Sequence, residues 1–228
     1  MNPAEVRAEI ETEITWRRDE LRFLSNIMLG LPSSDEQDRF RKVLIVMLYA
    51  HFEGFCRAAF TIYVRAINRL GLDASELAEA LAASALTGAF DDLDSLRRSE
   101  VFQRDASGDE GLHRLARRID FMVGFPRLLA RRPAEVPEEI VNVESNLKPI
   151  VLRKNLFRLG LSPALFETHD GTINQLLNRR NNVAHGVQRD GVPQDEYESL
   201  QRAVFEIMDR LASELWNALD SGTYRRSA

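Results

Sequence analysis

The chain has 228 residues, of which 44% are hydrophobic and 29% are charged, and its formal net charge is −5. These values are typical of one soluble globular domain and exclude a chain that is disordered throughout. The single cysteine, Cys56, excludes an intrachain disulfide and favours a reducing compartment, and its apolar neighbours favour a core position over a catalytic thiol. The N-terminus is acidic and unlike a secretory signal, and the longest apolar run, 43–50, is far short of the roughly 20 residues that span a bilayer. We therefore expect a cytoplasmic protein without a membrane span.

The charges are unevenly distributed along the chain. Acidic residues are concentrated in the first 20 positions, whereas the segment 112–133 carries six arginines against one acidic residue, Asp120. A solvated helix face is the first interpretation of such a basic segment, and contact with nucleic-acid phosphates is the alternative. On the second interpretation, Arg114, Arg117 and Arg118 are candidate RNA-binding residues.

Helical periodicity dominates the sequence, and the first two helices are the longest. The pattern predicts a first helix over 3–29, which Gly30 and Pro32 end, and a second from about residue 39 to about Leu70. The second helix is apolar on two sides, which predicts a central helix that packs against neighbours in both directions. Glu53 and Arg57 lie between its two apolar faces, four residues apart and with the acid first, a spacing that suits a local ion pair.

The rest of the chain divides into a weakly patterned middle and three further helices. Residues 74–143 contain short helical pieces and many breakers, which indicates an insertion in the bundle. Helices are then expected over 147–159, from near Thr172 through the segment "NRRNNVAHG" (178–186), and over about 193–219 with Pro193 in the first turn. We therefore predict an all-α antiparallel bundle that forms a single domain over 1–228.

The segment "TINQLLNRRNNVAHG" places a cation where an apolar residue is expected. Arg180 follows Ile173 by seven residues and lies in the middle of the apolar stripe, whereas Arg179 falls well off it and can reach solvent. A buried guanidinium is costly unless it is paired or lies at an interface. Arg180 is therefore the unusual residue of this helix, and two copies of the chain across a two-fold axis would give it a denser site.

A titratable side chain stands at the end of the same helix. Gly186 suits the left-handed position that stops a helix, so His185 is expected in the last turn, and Asn181 precedes it by four residues on the same face. This arrangement would offer a phosphodiester both a proton carrier and a cation, although a plain helix-capping histidine has the same pattern. No metal-binding array or phosphate loop is apparent, so no cofactor is expected. Among the other histidines, His51 is expected in the core, and His113 and His169 at the surface or as caps.

Three segments together resemble the HEPN superfamily (higher eukaryotes and prokaryotes nucleotide-binding), in its MAE-like or RiboL-PSP branch. "LLNRRNNVAHG" resembles the superfamily signature, an arginine, a polar residue and then a histidine, here Arg180, Asn181 and His185. "VMLYAHFEGFCRAAFTIYVRAIN" and "VESNLKPIVLRKNLFRLGL" resemble the tyrosine and Ser-Asn-Leu helices of that branch. The three segments cover about a third of the chain, and residues 74–143 carry no match.

The resemblance implies a helical bundle that dimerises so that two Arg-x4-His motifs meet, and metal-independent RNA cleavage with 2′,3′-cyclic phosphate products. It implies that His185 acts on the 2′-hydroxyl or the leaving oxygen, that Arg180 stabilises transition-state charge, and that Asn181 positions the histidine or the phosphate. Glu53 is a hypothesis for a partner behind Arg180, with the local pair to Arg57 as the alternative. Arg179 is a further candidate RNA contact.

The biological role that the resemblance implies is that of a toxin or an effector in anti-phage or stress defence, with an antitoxin or a companion defence protein as partner. Two other functions stay open on the sequence. One is a non-catalytic HEPN module that binds a nucleotide, RNA or a protein, and the other is a subunit that is active only with a companion protein.

Overall fold

The structure is a computed structural model that describes residues 3–98 and 108–226. Over these ranges the chain forms eight α-helices and no strand, in agreement with the all-α prediction. The helices are α1 (Pro3–Leu29), α2 (Ser34–Asn68), α3 (Glu79–Ala85), α4 (Thr87–Asp94), α5 (Glu110–Leu129), α6 (Pro149–Arg158), α7 (Asp170–Ala184) and α8 (Gln194–Ser221).

Helix α2 forms the centre of the bundle. It packs against α1, α7 and α8, and 16 of its 35 residues are buried, so its apolar sides serve helix packing. By length and composition it is the one helix of the described ranges that could cross a membrane, yet 56% of its apolar window is buried in the bundle. The core helix of a soluble protein passes the same test, so this composition is accounted for by packing.

Most helix limits lie within two residues of the prediction, and the clearest error is the start of α2. It begins at Ser34, about five residues early, because the Ser33 side chain caps the backbone N–H of Glu36 and also donates a hydrogen bond to the Glu36 carboxylate. The third predicted helix also differs. Residues 147 and 148 are non-helical, and α6 begins with Pro149 in its first turn.

The segment 74–143 contains more regular structure than predicted. Helix α3 packs on α6, whereas α4 and α5 pack against each other. Within that pair Phe121 stacks on Phe125 and contacts Phe90. The C-terminal end of this pair is fixed to the bundle by a bond from the Ser75 N–H to the Leu129 carbonyl.

Three residues discussed in the sequence analysis lie in the core. Two of them were expected there, and the third was not. Cys56 is fully buried, burial raises the pKa of its thiol, and His51 is 6% exposed, as expected. His113, which was expected at the surface or as a cap, is 3% exposed and lies in the first turn of α5, after the N-cap residue Asp109. His169 occupies the N-cap position of α7 without a side-chain capping bond.

Candidate active site at the end of helix α7

Helix α7 ends in a Schellman motif at Gly186. The glycine has a φ of +70°, its N–H donates to the Val183 carbonyl, and the Val187 N–H donates to the Asn182 carbonyl. His185 is therefore the last residue before the left-handed turn, with its own N–H bonded to the Asn181 carbonyl. This confirms the predicted helix stop and places an exposed imidazole at the negative end of the helix dipole.

Arg180 is half-buried and is held by neutral groups. Its Nη2 donates to Asn146 Oδ1 at 2.8 Å, and the guanidinium carbon lies 4.1 Å from the centroid of the Tyr49 ring. Its Nε is buried and has no hydrogen-bond partner among the described residues. No carboxylate of those residues pairs with it, so the positive charge of Arg180 is oriented but not neutralised.

Tyr49 connects Arg180 to Glu53. The Tyr49 hydroxyl donates to Glu53 Oε2 at 2.7 Å and accepts from the Leu147 N–H at 2.6 Å, and the same N–H lies 3.2 Å from Glu53 Oε2. Burial, followed by the hydrogen bond to Glu53, raises the pKa of Tyr49 to about 12, so the phenol keeps its proton at neutral pH. In the described part of the chain Glu53 bonds neither Arg57 nor Arg180 directly. Glu53 accepts a hydrogen bond from Tyr49, and the ring of Tyr49 contacts Arg180, so the two charged residues are linked indirectly.

The turn that carries Asn146 has an unusual backbone. Glu144 and Ser145 have φ values of +50° and +59°, although neither is glycine, and such residues cost on the order of 1–3 kcal/mol each. The turn is retained by the Leu147 bonds to α2 and by an ion pair of 2.7 Å between Glu144 and Lys154. The strained turn therefore fixes the position of the Asn146 side chain in front of Arg180.

Arg180 and His185 share the end of the helix but not one face. A separation of five residues at about 100° per residue puts their Cβ atoms roughly 140° apart around the axis. Consistent with this, Arg180 faces α2, whereas the His185 imidazole is exposed and, like the Asn181 amide, makes no hydrogen bond to a described residue. Helix α7 therefore presents Arg180 and His185 in different directions.

The structure divides the four candidate RNA-binding arginines into two pairs. Arg179 does not extend freely into solvent, because it makes a two-bond ion pair with Glu196 at 2.6 and 2.7 Å and also donates to Gln188. Arg117 donates to the carbonyls of Leu93 and Arg97. Arg114 and Arg118 are exposed on α5, which is not among the main packing partners of α7, so these two residues are not brought to the α7 site.

Comparison with protein families accounts for almost all of the chain. The model of the MAE_28990-like HEPN family matches residues 6–224. The chain belongs to this HEPN family. Comparisons with curated proteins and with solved structures found no match.

The HEPN family match covers all three segments on which the resemblance was based, and it includes the middle region 74–143. HEPN membership is consistent with a nuclease or an RNA-binding protein.

Two residues of the α7 site, Tyr49 and Asn146, were not predicted as site residues from the sequence. Both lie inside the segments that resemble the HEPN superfamily, in "VMLYAHFEGF" and "VESNLKP". Their position in these segments was the feature of the sequence that could have identified them. The described residues contain no group of three or more acidic, histidine or cysteine side chains that could hold a metal ion.

Proposed function

We propose that this HEPN protein is a metal-independent endoribonuclease whose site contains Arg180, His185 and Asn181. The observation that carries the proposal is the unneutralised guanidinium of Arg180. Other buried or half-buried arginines fall into two groups. Five of them pair with a carboxylate, namely Arg17, Arg18, Arg41, Arg153 and Arg179, and two donate to backbone carbonyls, namely Arg117 and Arg158. Arg180 instead bonds a neutral amide and an aromatic ring. A half-buried cation that keeps its charge is suited to an anion from outside the chain, and an RNA phosphate is such an anion.

In this mechanism His185 moves a proton and Arg180 stabilises charge. The exposed imidazole takes the proton of the 2′-hydroxyl or supplies one to the leaving 5′-oxygen, and the guanidinium stabilises the charge on the phosphorane-like transition state. Attack of the 2′-oxygen on phosphorus forms one P–O bond as the bond to the 5′-oxygen breaks, so the products are a 2′,3′-cyclic phosphate and a 5′-hydroxyl. Asn181 positions the imidazole or the phosphate, and the protein needs no metal or cofactor.

The active form is a homodimer in which Arg180 of one chain meets His185 of the other. The angular separation of the two side chains within one helix supports this arrangement. An exposed apolar patch on α2 supports it as well. This patch is formed by Val43, which is 48% exposed, exposed Ala50 and partly exposed Val46. Small apolar residues along one helix face allow the close approach of a second copy.

The proposed biological role is that of a cytoplasmic toxin or an effector of anti-phage or stress defence, controlled by an antitoxin or a companion protein. A non-catalytic RNA- or protein-binding module is the second candidate. It is favoured by the acidic net charge and by the engagement of Arg179 and Arg117 within the chain.

The test uses purified wild type, His185→Ala, Arg180→Ala and Arg202→Ala with total cellular RNA in EDTA, followed by mapping of the fragment ends. We expect wild type and Arg202→Ala to cut and leave cyclic phosphates, and the other two variants to be slower by roughly 100-fold or more. Arg202→Ala controls for the loss of an arginine, since Arg202 is exposed on α8. If wild type leaves RNA intact, or if His185→Ala cuts at the wild-type rate, the proposed mechanism is wrong.

A further inference from the structure

Helix α5 has apolar residues on two sides, and the described residues of the chain cover only one of these sides. Phe121 and Phe125 pack with Phe90 of α4 on the covered side. The other side is formed by Leu115, Ile119, Met122 and Val123, which are 52%, 53%, 68% and 71% exposed. Exposed aliphatic side chains that are contiguous along one helix face mark an interaction surface. We name these four residues the outer face of α5.

The spacing along the outer face indicates what shape of partner fits it. Leu115, Ile119, Met122 and the exposed Pro126 follow one another at intervals of four, three and four residues, which is the a/d spacing of a coiled-coil seam. The seam extends over about three helical turns, or roughly 16 Å. A narrow apolar seam of this kind matches the seam of another α-helix.

The charges beside the seam indicate the sign of the partner. Arg114 and Arg118 flank it on one side and Arg127 on the other, all three are exposed, and none has a carboxylate partner in the described ranges. Asp120 is the one acidic residue in the central turns of the helix. Opposite charges across an interface steer association and select the partner, so an acidic helix complements this surface.

Two other occupants fit less well. A second copy of α5 would bring together two seams that are each flanked by three exposed arginines and one acidic residue in the central turns, and like charges disfavour such a pair. Single-stranded RNA is bound largely by aromatic side chains on which bases stack, whereas the outer face is aliphatic. We propose that the outer face of α5 binds an acidic amphipathic helix of a partner protein. This inference does not depend on the proposed ribonuclease activity.

The test measures binding of a designed helix to the full chain. The probe is a fluorescein-labelled peptide of about three heptads with leucine at a and d and glutamate at e and g. Its control is a scrambled peptide of the same composition, in which the leucines no longer form one stripe. We expect saturable binding of the probe in roughly the micromolar range, weaker at high salt, and no binding of the scrambled peptide.

Matched variants locate the binding surface. Ile119→Asp and Arg118→Glu should each weaken probe binding by roughly tenfold or more, because one removes seam contact and the other reverses a rim charge. Phe157→Asp is the control, since Phe157 is 67% exposed on α6, a helix that is not among the main packing partners of α5. All three positions are exposed, so circular dichroism should show an unchanged fold.

Four outcomes would overturn the proposal. They are an absence of saturable probe binding, equal binding of the scrambled peptide, equal loss in Phe157→Asp, and wild-type affinity in Ile119→Asp. Sedimentation, an RNA oligonucleotide and phosphatidylserine vesicles identify the other occupants. A dimer that dissociates in Ile119→Asp would assign the outer face to a second copy of the chain. If the peptide does not bind but RNA or vesicles do, and Arg118→Glu abolishes that binding, the outer face belongs to RNA or to a membrane instead.

Discussion

The guanidinium carbon of Arg180 lies 4.1 Å from the centroid of the Tyr49 ring, and these two residues link the signature helix to the centre of the bundle. The same tyrosine bonds Glu53 and the Leu147 N–H, and the turn that leads to Leu147 supplies Asn146, the hydrogen-bond partner of Arg180. The cation is thus fixed by α2 and by a strained turn, so changes in either element should alter its orientation without removing its charge.

Tyr49→Phe tests the hydroxyl of this arrangement. The variant keeps the ring beneath Arg180 but removes the 2.6 Å acceptor of the Leu147 N–H and the donor to Glu53. We expect the free energy of unfolding to fall by about 1–3 kcal/mol, because the Glu53 carboxylate loses a donor and the Leu147 N–H keeps only its longer bond of 3.2 Å to Glu53. Urea unfolding measures the change. Tyr197→Phe is the matched control, since the Tyr197 hydroxyl accepts a longer bond of 3.1 Å from Gln201. Equal losses in the two variants would argue against a special role for the Tyr49 hydroxyl.

Asn146→Asp tests whether the free charge of Arg180 matters. The substitution keeps the shape of the side chain, but its carboxylate would form an ion pair with Arg180 and compete with a phosphate. On the proposed function, RNA cleavage should fall by roughly tenfold or more, while the free energy of unfolding stays level or rises. Asn174→Asp, at an exposed position of α7, introduces the same charge away from Arg180 and should cleave normally. Unchanged cleavage by Asn146→Asp would show that the charge of Arg180 is not used.

Gly186→Ala tests the helix stop that presents His185. An added Cβ would meet no atom within 4 Å, so the cost lies in the φ of +70° alone. We expect a loss of about 1–2 kcal/mol in the free energy of unfolding. Gly171→Ala, in the first turn of the same helix and also without close atoms, should show no loss. Comparison of the two urea unfolding curves gives the result, and a loss at Gly171 equal to that at Gly186 would contradict it.

His51 should make the protein less stable in mild acid. Burial lowers the pKa of His51, with a smaller contribution from Arg17, and Glu20 at 3.5 Å opposes the shift. The unfolded chain therefore binds a proton at a higher pH than the folded chain, so stability is lost as the pH falls through the ordinary histidine range, about 6.5, toward the lower folded value. His51→Gln should lose less stability than wild type between about pH 7.5 and about pH 5.5. Thermal unfolding at both pH values decides it, and equal losses would exclude His51 as the cause.

The sequence by itself determined the features that depend on local periodicity. The limits of α1, the apolar stripe of α7 with Arg180 inside it, and the stop at Gly186 all follow from a repeat of 3.6 residues and from the conformational freedom of glycine. The motif segments were also sufficient to indicate the HEPN family, which the family comparison then showed.

Only the tertiary structure decided which groups surround those residues. The partner of Arg180 is Asn146, 34 positions earlier in the chain, and its ring contact comes from α2. Arg179 pairs with Glu196 of α8 although the helical wheel pointed it to solvent. These contacts depend on how the helices pack and on two left-handed residues in a turn, at Glu144 and Ser145, and a periodic pattern carries no information about either.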